Sequence, residues 1–344
     1  MPSSTVRTFT DPDAYHTAIR GAQAEGIVTE RGNFRVELTN IRLDRLSLQR
    51  SEESLPRTAY SAVDPKLFGI VFVTSPDQQI HVNGLELSPG EIVVFRAGSE
   101  GYNRAATACQ WGSIALTHEE VAAAGQAIIG RELIAPPGTQ RVKPAPLLLL
   151  RLLNLHEAAG HLAKTAPNIL TKPEVARAMD QSLTDALVLC LASGEPVEMR
   201  NTHRRQTVVM RRLESVLRAK SGEPLYMAEF CAATGVSYPT LRACCQEHLG
   251  MSPKRYLWLR RMHLTHRALR KADPETTSVT EIATNNGFWE LGRFSVTYRR
   301  LFGASPSTTL LRLPEGPKSG ESSSHSGNLP NLHSRAGLLN LPCN

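Results

Sequence analysis

No apolar run in the chain is long enough to cross a membrane as a helix. The longest, from Pro144 to Leu155, is interrupted by Arg151 and Asn154 and falls short of the roughly 18 to 20 residues a span requires. The first residues, MPSSTVRTFTDPDAYH, lack the apolar stretch of a secretory signal. The six cysteines, Cys109, Cys190, Cys231, Cys244, Cys245 and Cys343, follow no metal-ligand or disulfide spacing, which fits a reducing compartment. The expected location is therefore the cytoplasm, with no membrane partner. No metal or other cofactor is expected, and no residue stands out as catalytic.

What is present is length, an uneven charge and two kinds of period. At 344 residues and 41% hydrophobic content the chain is long enough for two domains with cores of their own. Residues 1–199 carry 18 Lys+Arg against 22 Asp+Glu, net −4, while residues 200–313 carry 19 against 8, net +11. The basic excess is thus confined to the C-terminal part, where it would release counter-ions on binding a polyanion.

Residues 1 to about 27 read as a short helical lead-in, with Asp11-Pro12-Asp13 as its start signal ahead of Tyr15 and Ile19. From Gly32 to about Leu116 the period is two (Phe34, Val36, Leu38; Ile41, Leu43; Ile70, Phe72; Ile80, Val82; Ile92, Val94; Ile114, Leu116), giving six to eight short strands. Asn83-Gly84 is a hairpin signal, and Pro89-Gly90 marks a second turn. Strands at this spacing predict a small barrel or double sheet. From Val121 to Pro196 helical stripes return, through Leu147 to Leu155 and then Val175, Met179, Leu183, Leu187 and Leu191. From Pro314 on, Gly, Ser, Pro and Asn dominate, which predicts a disordered tail.

The C-terminal part contains an internal repeat. Gly235 to Pro253, GVSYPTLRACCQEHLGMSP, and Gly287 to Pro306, GFWELGRFSVTYRRLFGASP, share an opening Gly, a helix-compatible run and a Gly-x-Ser-Pro exit. The opening glycines lie 52 residues apart (235 to 287) and the closing ones 53 (250 to 303). Each copy reads as the second half of a helix-turn-helix, the glycine supplying the turn. In the second copy Ser278 and Glu281 form a capping box, and Leu291, Phe294, Tyr298, Leu301 and Phe302 make one buried face. Between the copies Pro253 opens a helix ending before Asp273-Pro274, a stiff spacer of about 28 Å that would hold two recognition helices near the roughly 34 Å repeat of successive major grooves.

This duplicated unit resembles the DNA-binding domain of the AraC/XylS transcription regulators, two helix-turn-helix motifs joined by one long helix, over about Arg204 to Leu313. Less specifically, the N-terminal part is similar to the cupin-like sensor domains that precede that domain in many members. The resemblance implies an α+β protein: a cupin-like β-barrel that senses an effector in residues 1–120, a helical segment in 121–203 that either links or dimerises, the double helix-turn-helix in 204–313 and the tail in 314–344. It implies an activator-type, DNA-binding transcription regulator whose partners are promoter DNA, RNA polymerase, a small-molecule effector and a second copy of itself. With only His81 and His118 in the barrel region, the metal site of an enzymatic cupin is not expected; a cupin metalloenzyme fused to a DNA-binding domain and an architectural DNA-binding protein are the rival readings.

Ser237 is expected to cap the first recognition helix. Tyr238, Pro239 and Arg242 point outward from it, Arg242 with the bidentate fork that reads guanine. On the second helix Trp289, Gly292, Arg293 and Val296 are placed for base edges, while Arg299, Arg300, Lys254 and Arg255 suit phosphates. The chain departs from the family pattern at Ala243 and Val296, where Arg is common, and at Thr309-Leu310, where an aromatic-basic pair is common. Of Cys244 and Cys245, about 100° apart on a helix, one is expected to face the core.

Overall fold

The computed structural model describes residues 1–75, 77–134, 138–197, 201–219 and 227–311, so the segment expected to be a disordered tail lies outside the described residues. Its first 28 residues correct the helical lead-in. They form strand β1 (Ser3–Phe9), a short helix α1 (Pro12–Ala18) and strand β2 (Ala22–Val28). The start signal was read correctly, since Asp11 accepts a hydrogen bond from the Asp13 amide and Pro12 opens α1. The flanking strands have weak local patterns and exist through pairing: β1 runs antiparallel to β3 (Val36–Arg42), and β2 to β5 (Arg57–Val63).

The remaining strands are β4 (Ser47–Glu53), β6 (Leu67–Val73), β7 (Ile80–Val82), β8 (Leu85–Leu87), β9 (Ile92–Phe95), β10 (Glu100–Ala105) and β11 (Cys109–Thr117), followed by β12 (Gln140–Lys143) and β13 (Glu195–Val197). The Asn83-Gly84 hairpin forms as read, with both residues at positive φ (52° and 80°) as a type I′ turn demands. The strands make two open sheets in place of one closed barrel. The larger has the order β1-β3-β4-β11-β6-β9-β12-β13 and the smaller β2-β5-β10-β7-β8. The smaller sheet was under-read because β2, β5 and β10 alternate small or polar residues with apolar ones.

The larger sheet packs one face on helices α2 (His118–Ile129), α3 (Pro146–Thr165), α4 (Pro167–Leu170) and α5 (Pro173–Ser193). Leu152, Leu183 and Leu187, all at 0% exposure, meet Ile70 and Ile114 there, each worth about 1.5 to 3 kcal/mol relative to exposure. Asp180 fastens α5 to the β3–β4 turn, accepting from the Arg45 and Leu46 amides and pairing with the Arg45 guanidinium at 2.8 Å. Between the two sheets lies a second core built on Val36, Leu38, Val82, Leu87 and Trp111.

Beyond the smaller sheet come the C-terminal helices α6 (Asn201–Ala219), α7 (Met227–Thr234), α8 (Tyr238–Leu249), α9 (Pro253–Lys271), α10 (Val279–Asn285), α11 (Leu291–Phe302) and α12 (Pro306–Leu311). Strands and these helices belong to one compact unit, Met1–Arg312. The third core joins Ile27, Tyr60 and Tyr102 of the smaller sheet to Met210, Leu213, Leu241 and Leu259 of the helices; the fourth lies wholly among α9 to α12. Thr309 and Leu310, where the chain departs from the family, are both buried, and Leu310 joins that last core.

Candidate nucleic-acid interface

The repeat is deeper than the sequence showed. Met210, Leu213 and Glu214 on α6 are buried, and so are Leu259, Met262 and His263 on α9, each 49 residues further on. The chain therefore builds a three-helix unit, α6-α7-α8, and repeats it as α9-α10-α11, with α9 serving both as connector and as first helix of the second copy. Gly235, Gly250, Gly287 and Gly303 sit at φ between 72° and 78°, the left-handed conformation that closes each turn and each recognition helix.

An arginine from the leading helix braces each turn. Arg212 Nη1 donates to the Thr234 carbonyl at 3.1 Å beside Gly235, and Arg261 lies over the Phe288 ring at 5.6 Å beside Gly287. Sequence reading missed both, although each stands in an otherwise apolar-periodic helix that enters its turn.

In α8, Pro239 and Arg242 are exposed and Tyr238 is half-buried. Ser237 takes the N-cap position, but its hydroxyl meets the Thr240 hydroxyl at 3.0 Å and caps no backbone amide. The Ser278 cap holds on one side, with its hydroxyl accepting from the Glu281 amide at 3.1 Å. Cys244 and Cys245 are both buried, not one of them, because α8 is packed by α6 and α9 and also by β10. Burial raises both thiols, Cys245 to about 12, so neither is a reactive thiolate.

On α11 and just before it, Trp289 is 77% exposed and Val296 55% exposed, with Gly292, Arg293, Arg299 and Arg300 also open to solvent. No side chain lies within 4 Å of a Cβ placed at Gly292, so another molecule can approach the backbone closely there. Arg293 is tethered only by an exposed pair with Glu290 at 3.4 Å. Lys254 and Arg255 project from the first turn of α9, and one Arg255 amine donates to the Thr29 carbonyl at 3.3 Å. The eleven residues thus fall on two recognition helices, just ahead of α11 at Trp289, and on the start of the helix joining them.

The smaller sheet holds the first unit and α9 from behind. Thr58 donates to the Leu249 carbonyl at 3.2 Å, Arg104 Nε to the Glu247 carbonyl at 3.4 Å, and His263 Nε2 to the Val28 carbonyl at 3.2 Å. Asp13 pairs with Arg267 at 2.7 Å, and Asp11 with Arg270. The acidic N-terminal part thereby neutralises arginines on the flank of α9.

On its other face the smaller sheet closes a cavity of about 130 Å³ against the larger one, lined by Ala24, Ala59, Gly69, Val71, Asn103 and Ser113 among others. The charge at its wall is internally satisfied. Glu53 accepts from Arg57 at 2.6 Å, Tyr15 at 2.6 Å and Trp111 at 2.5 Å. Burial pushes the Glu53 carboxyl up, yet the Arg57 guanidinium and these hydrogen bonds hold it below the usual range. His81 sits across from Arg104 on the strand register and is not among the cavity-lining residues; burial and Arg104 lower its imidazole. Among the described residues no group of three or more His, Cys, Asp or Glu could hold a metal ion.

Two successive helix-turn-helix units on one long helix define a DNA-binding domain. A helix-turn-helix domain family matches residues 230–312. The chain is 30% identical over 162 residues to a probable thc operon regulatory protein of Rhodococcus erythropolis, covering 47% of this chain and 49% of that one. It is 40% identical over 65 residues to the XylDLEGF operon transcriptional activator of Pseudomonas putida, 19% of this chain and 20% of that one. Among solved structures, the AraC-like transcriptional activator CuxR aligns over 77% of this chain and 95% of its own at 15% identity, with a TM-score of 0.40. The chain spans about half the length of the first of these relatives and a fifth of the second. Through its C-terminal helices the chain is similar to the helix-turn-helix part of these regulators.

Proposed function

We propose that this protein is a sequence-specific DNA-binding transcription regulator that responds to a small molecule held between its two sheets. The observation that carries the reading is the duplicated three-helix unit, which presents Arg242 on one recognition helix and Gly292, Arg293 and Val296 on the other. Arg242 reads a guanine edge; Tyr238, Pro239 and Trp289 flank the two readers; Arg299, Arg300, Lys254 and Arg255 hold phosphates. The net +11 of residues 200–313 supports polyanion binding, and the names of the relatives, an operon regulator and a transcriptional activator, support regulation.

In this reading residues 1–120 are the sensor, a cupin-like double sheet opened at its edges, residues 121–203 form a helical linker or dimer contact, and residues 204–313 read DNA. The protein works in the cytoplasm on promoter DNA with RNA polymerase as partner, and it carries out no catalysis. The test is selection of bound sequences from a random DNA pool by the full chain. Arg242→Ala is then expected to cost about 1 to 3 kcal/mol on the selected site and to relax preference at one base pair, whereas Arg299→Ala weakens selected and random DNA alike. Equal losses on both DNAs for both variants would contradict the roles.

A further inference from the structure

The smaller sheet is one strand-layer thick, and its two faces look at different things. Along β5 and β10, Ala59, Ser61, Gly101 and Asn103 line the cavity, while Thr58, Tyr60 and Arg104 face the helices; Tyr102 borders the cavity too but sends its ring and hydroxyl into the helix core. Tyr60 and Tyr102 are register partners and stack edge to face at 5.1 Å. Strand β10 is pinned on the cavity side, where Asn103 donates to Ser61 at 2.9 Å and receives Arg57. Gly101 leaves room for the Asn83 side chain, which would stand 1.6 Å from a Cβ at that position.

On the far side, Tyr102 is 1% exposed and its hydroxyl donates to Glu214 of α6 at 2.6 Å. Glu214 is itself 1% exposed, and its other oxygen faces Arg218 at 3.2 Å and Arg260 at 3.6 Å. The Tyr256 hydroxyl of α9 reaches Tyr102 at 3.4 Å. One phenol from the sheet thus touches both leading helices of the repeat, and a buried carboxylate makes that contact costly to leave half-made. The outer helix face of β10 has no second hydrogen bond of this kind to α6 among the described residues.

We propose that the Tyr102–Glu214 hydrogen bond transmits occupancy of the cavity to the first helix-turn-helix unit. The inference rests on the effector reading above and adds the residues that carry the signal. A molecule filling the cavity presses on Gly101 and Asn103; the strand between them shifts, and the phenol on its other face moves relative to α6. Because α6 packs directly on α8, the first recognition helix is released or fixed, while the second unit, whose buried core is a separate cluster, follows through α9 and through Trp258 and Leu301, which pack against both cores.

The experiment uses filling of the cavity by the protein itself. Gly69 lies on the opposite wall, and a Cβ there would meet only the Ile114 carbonyl at 4.0 Å, so Gly69→Val adds a side chain whose first carbon has room. Four full-length chains are compared, wild type, Gly69→Val, Tyr102→Phe and the double variant, each checked for folding by circular dichroism. Dissociation constants are measured at one salt concentration on DNA selected by the wild type. Gly69→Val is expected to change affinity by about fivefold or more, and Tyr102→Phe to abolish that change. A purely structural role for Tyr102 would lower the melting temperature and leave the Gly69→Val factor intact. An equal factor in both backgrounds overturns the transmission route while the effector reading stands. If neither Gly69→Val nor a second filler, Ala24→Leu, alters affinity in the wild-type background, route and effector reading fall together. If the wild type selects no DNA sequence, the regulator reading fails first and the route with it.

Discussion

Inserting one alanine between Arg260 and Arg261 tests whether α9 is a rigid ruler, and the structure fixes where the insertion must go. Residues before that point serve the first unit, with Tyr256 and Leu259 in its core and Arg260 facing Glu214. Residues after it serve the second, with Met262 and Leu269 in its core, Arg261 over Phe288, and His263 and His266 against Phe302. A site further along, after the fully buried Thr265, would tear Met262 from the core it belongs to. One added residue turns the second unit by about 100° and advances it about 1.5 Å. With helix axes about 10 Å apart, that rotation swings α11 through a chord of about 15 Å, more than the roughly 12 Å width of the major groove.

The insertion also breaks three contacts to the N-terminal part: His263 to the Val28 carbonyl and the Asp13 and Asp11 pairs with Arg267 and Arg270. One hydrogen bond and two partly exposed ion pairs total about 1 to 3 kcal/mol, a loss a chain of this size survives. The expected result is a folded protein, melting a few degrees lower, whose footprint on the selected DNA covers only the first unit's half. Full protection at near-normal affinity would refute the ruler, since it would mean the two units re-dock independently.

Acid should loosen the protein before it denatures most carboxylate networks. Burial holds the imidazoles of His16, His156 and His248 near 4 and that of His263 near 3, against 6.5 when unfolded, so the unfolded chain binds protons that the folded one refuses. Their contribution is complete above about pH 6.5 and is lost as pH falls towards 4, at up to about 1.4 kcal/mol per pH unit for each; a urea midpoint unchanged between pH 7.5 and 5 would count against it. The C-terminal fragment 200–313 should bind DNA with steep salt dependence yet melt below the full chain and bind hydrophobic dyes. Removing Ile27, Tyr60 and Tyr102 uncovers Val209, Met210, Leu213 and Tyr256, and a fragment as stable as the full chain would show that this shared core contributes little.

The C-terminal half was legible because its signals are local. Four turn glycines, Ser-Pro exits and a helical stripe through Phe294 and Tyr298 each act over a few residues, and the structure places them where the spacing puts them. The Asn83-Gly84 hairpin was legible for the same reason. Strands β1 and β2 were not, since they owe their existence to partners about 30 to 40 residues away and carry little alternation of their own. The second buried cysteine, the idle hydroxyl of Ser237 and the cavity wall were hidden too. The cysteine depends on the smaller sheet lying against α8, a contact between residues about 140 to 190 positions apart, and the cavity wall on the pairing of distant strands. One clue was in view: Glu214 interrupts the apolar stripe of Val209, Met210, Leu213 and Leu217, and a carboxylate in such a place asks for a buried donor.

Because neighbouring residues of β5 and β10 point to opposite sides, the two jobs of the smaller sheet are written on alternate letters of the same words. Substitutions at 59, 61, 101 and 103 reshape what the cavity accepts, whereas those at 58, 60, 102 and 104 alter how the helices are held. On the proposed function, descendants of this chain can therefore drift toward a new chemical signal without relearning how to grip their DNA-reading half, and the reverse is equally open to them. Gly101 is the exception: it must stay bare for the sake of Asn83, so the cavity cannot be reshaped from that position alone.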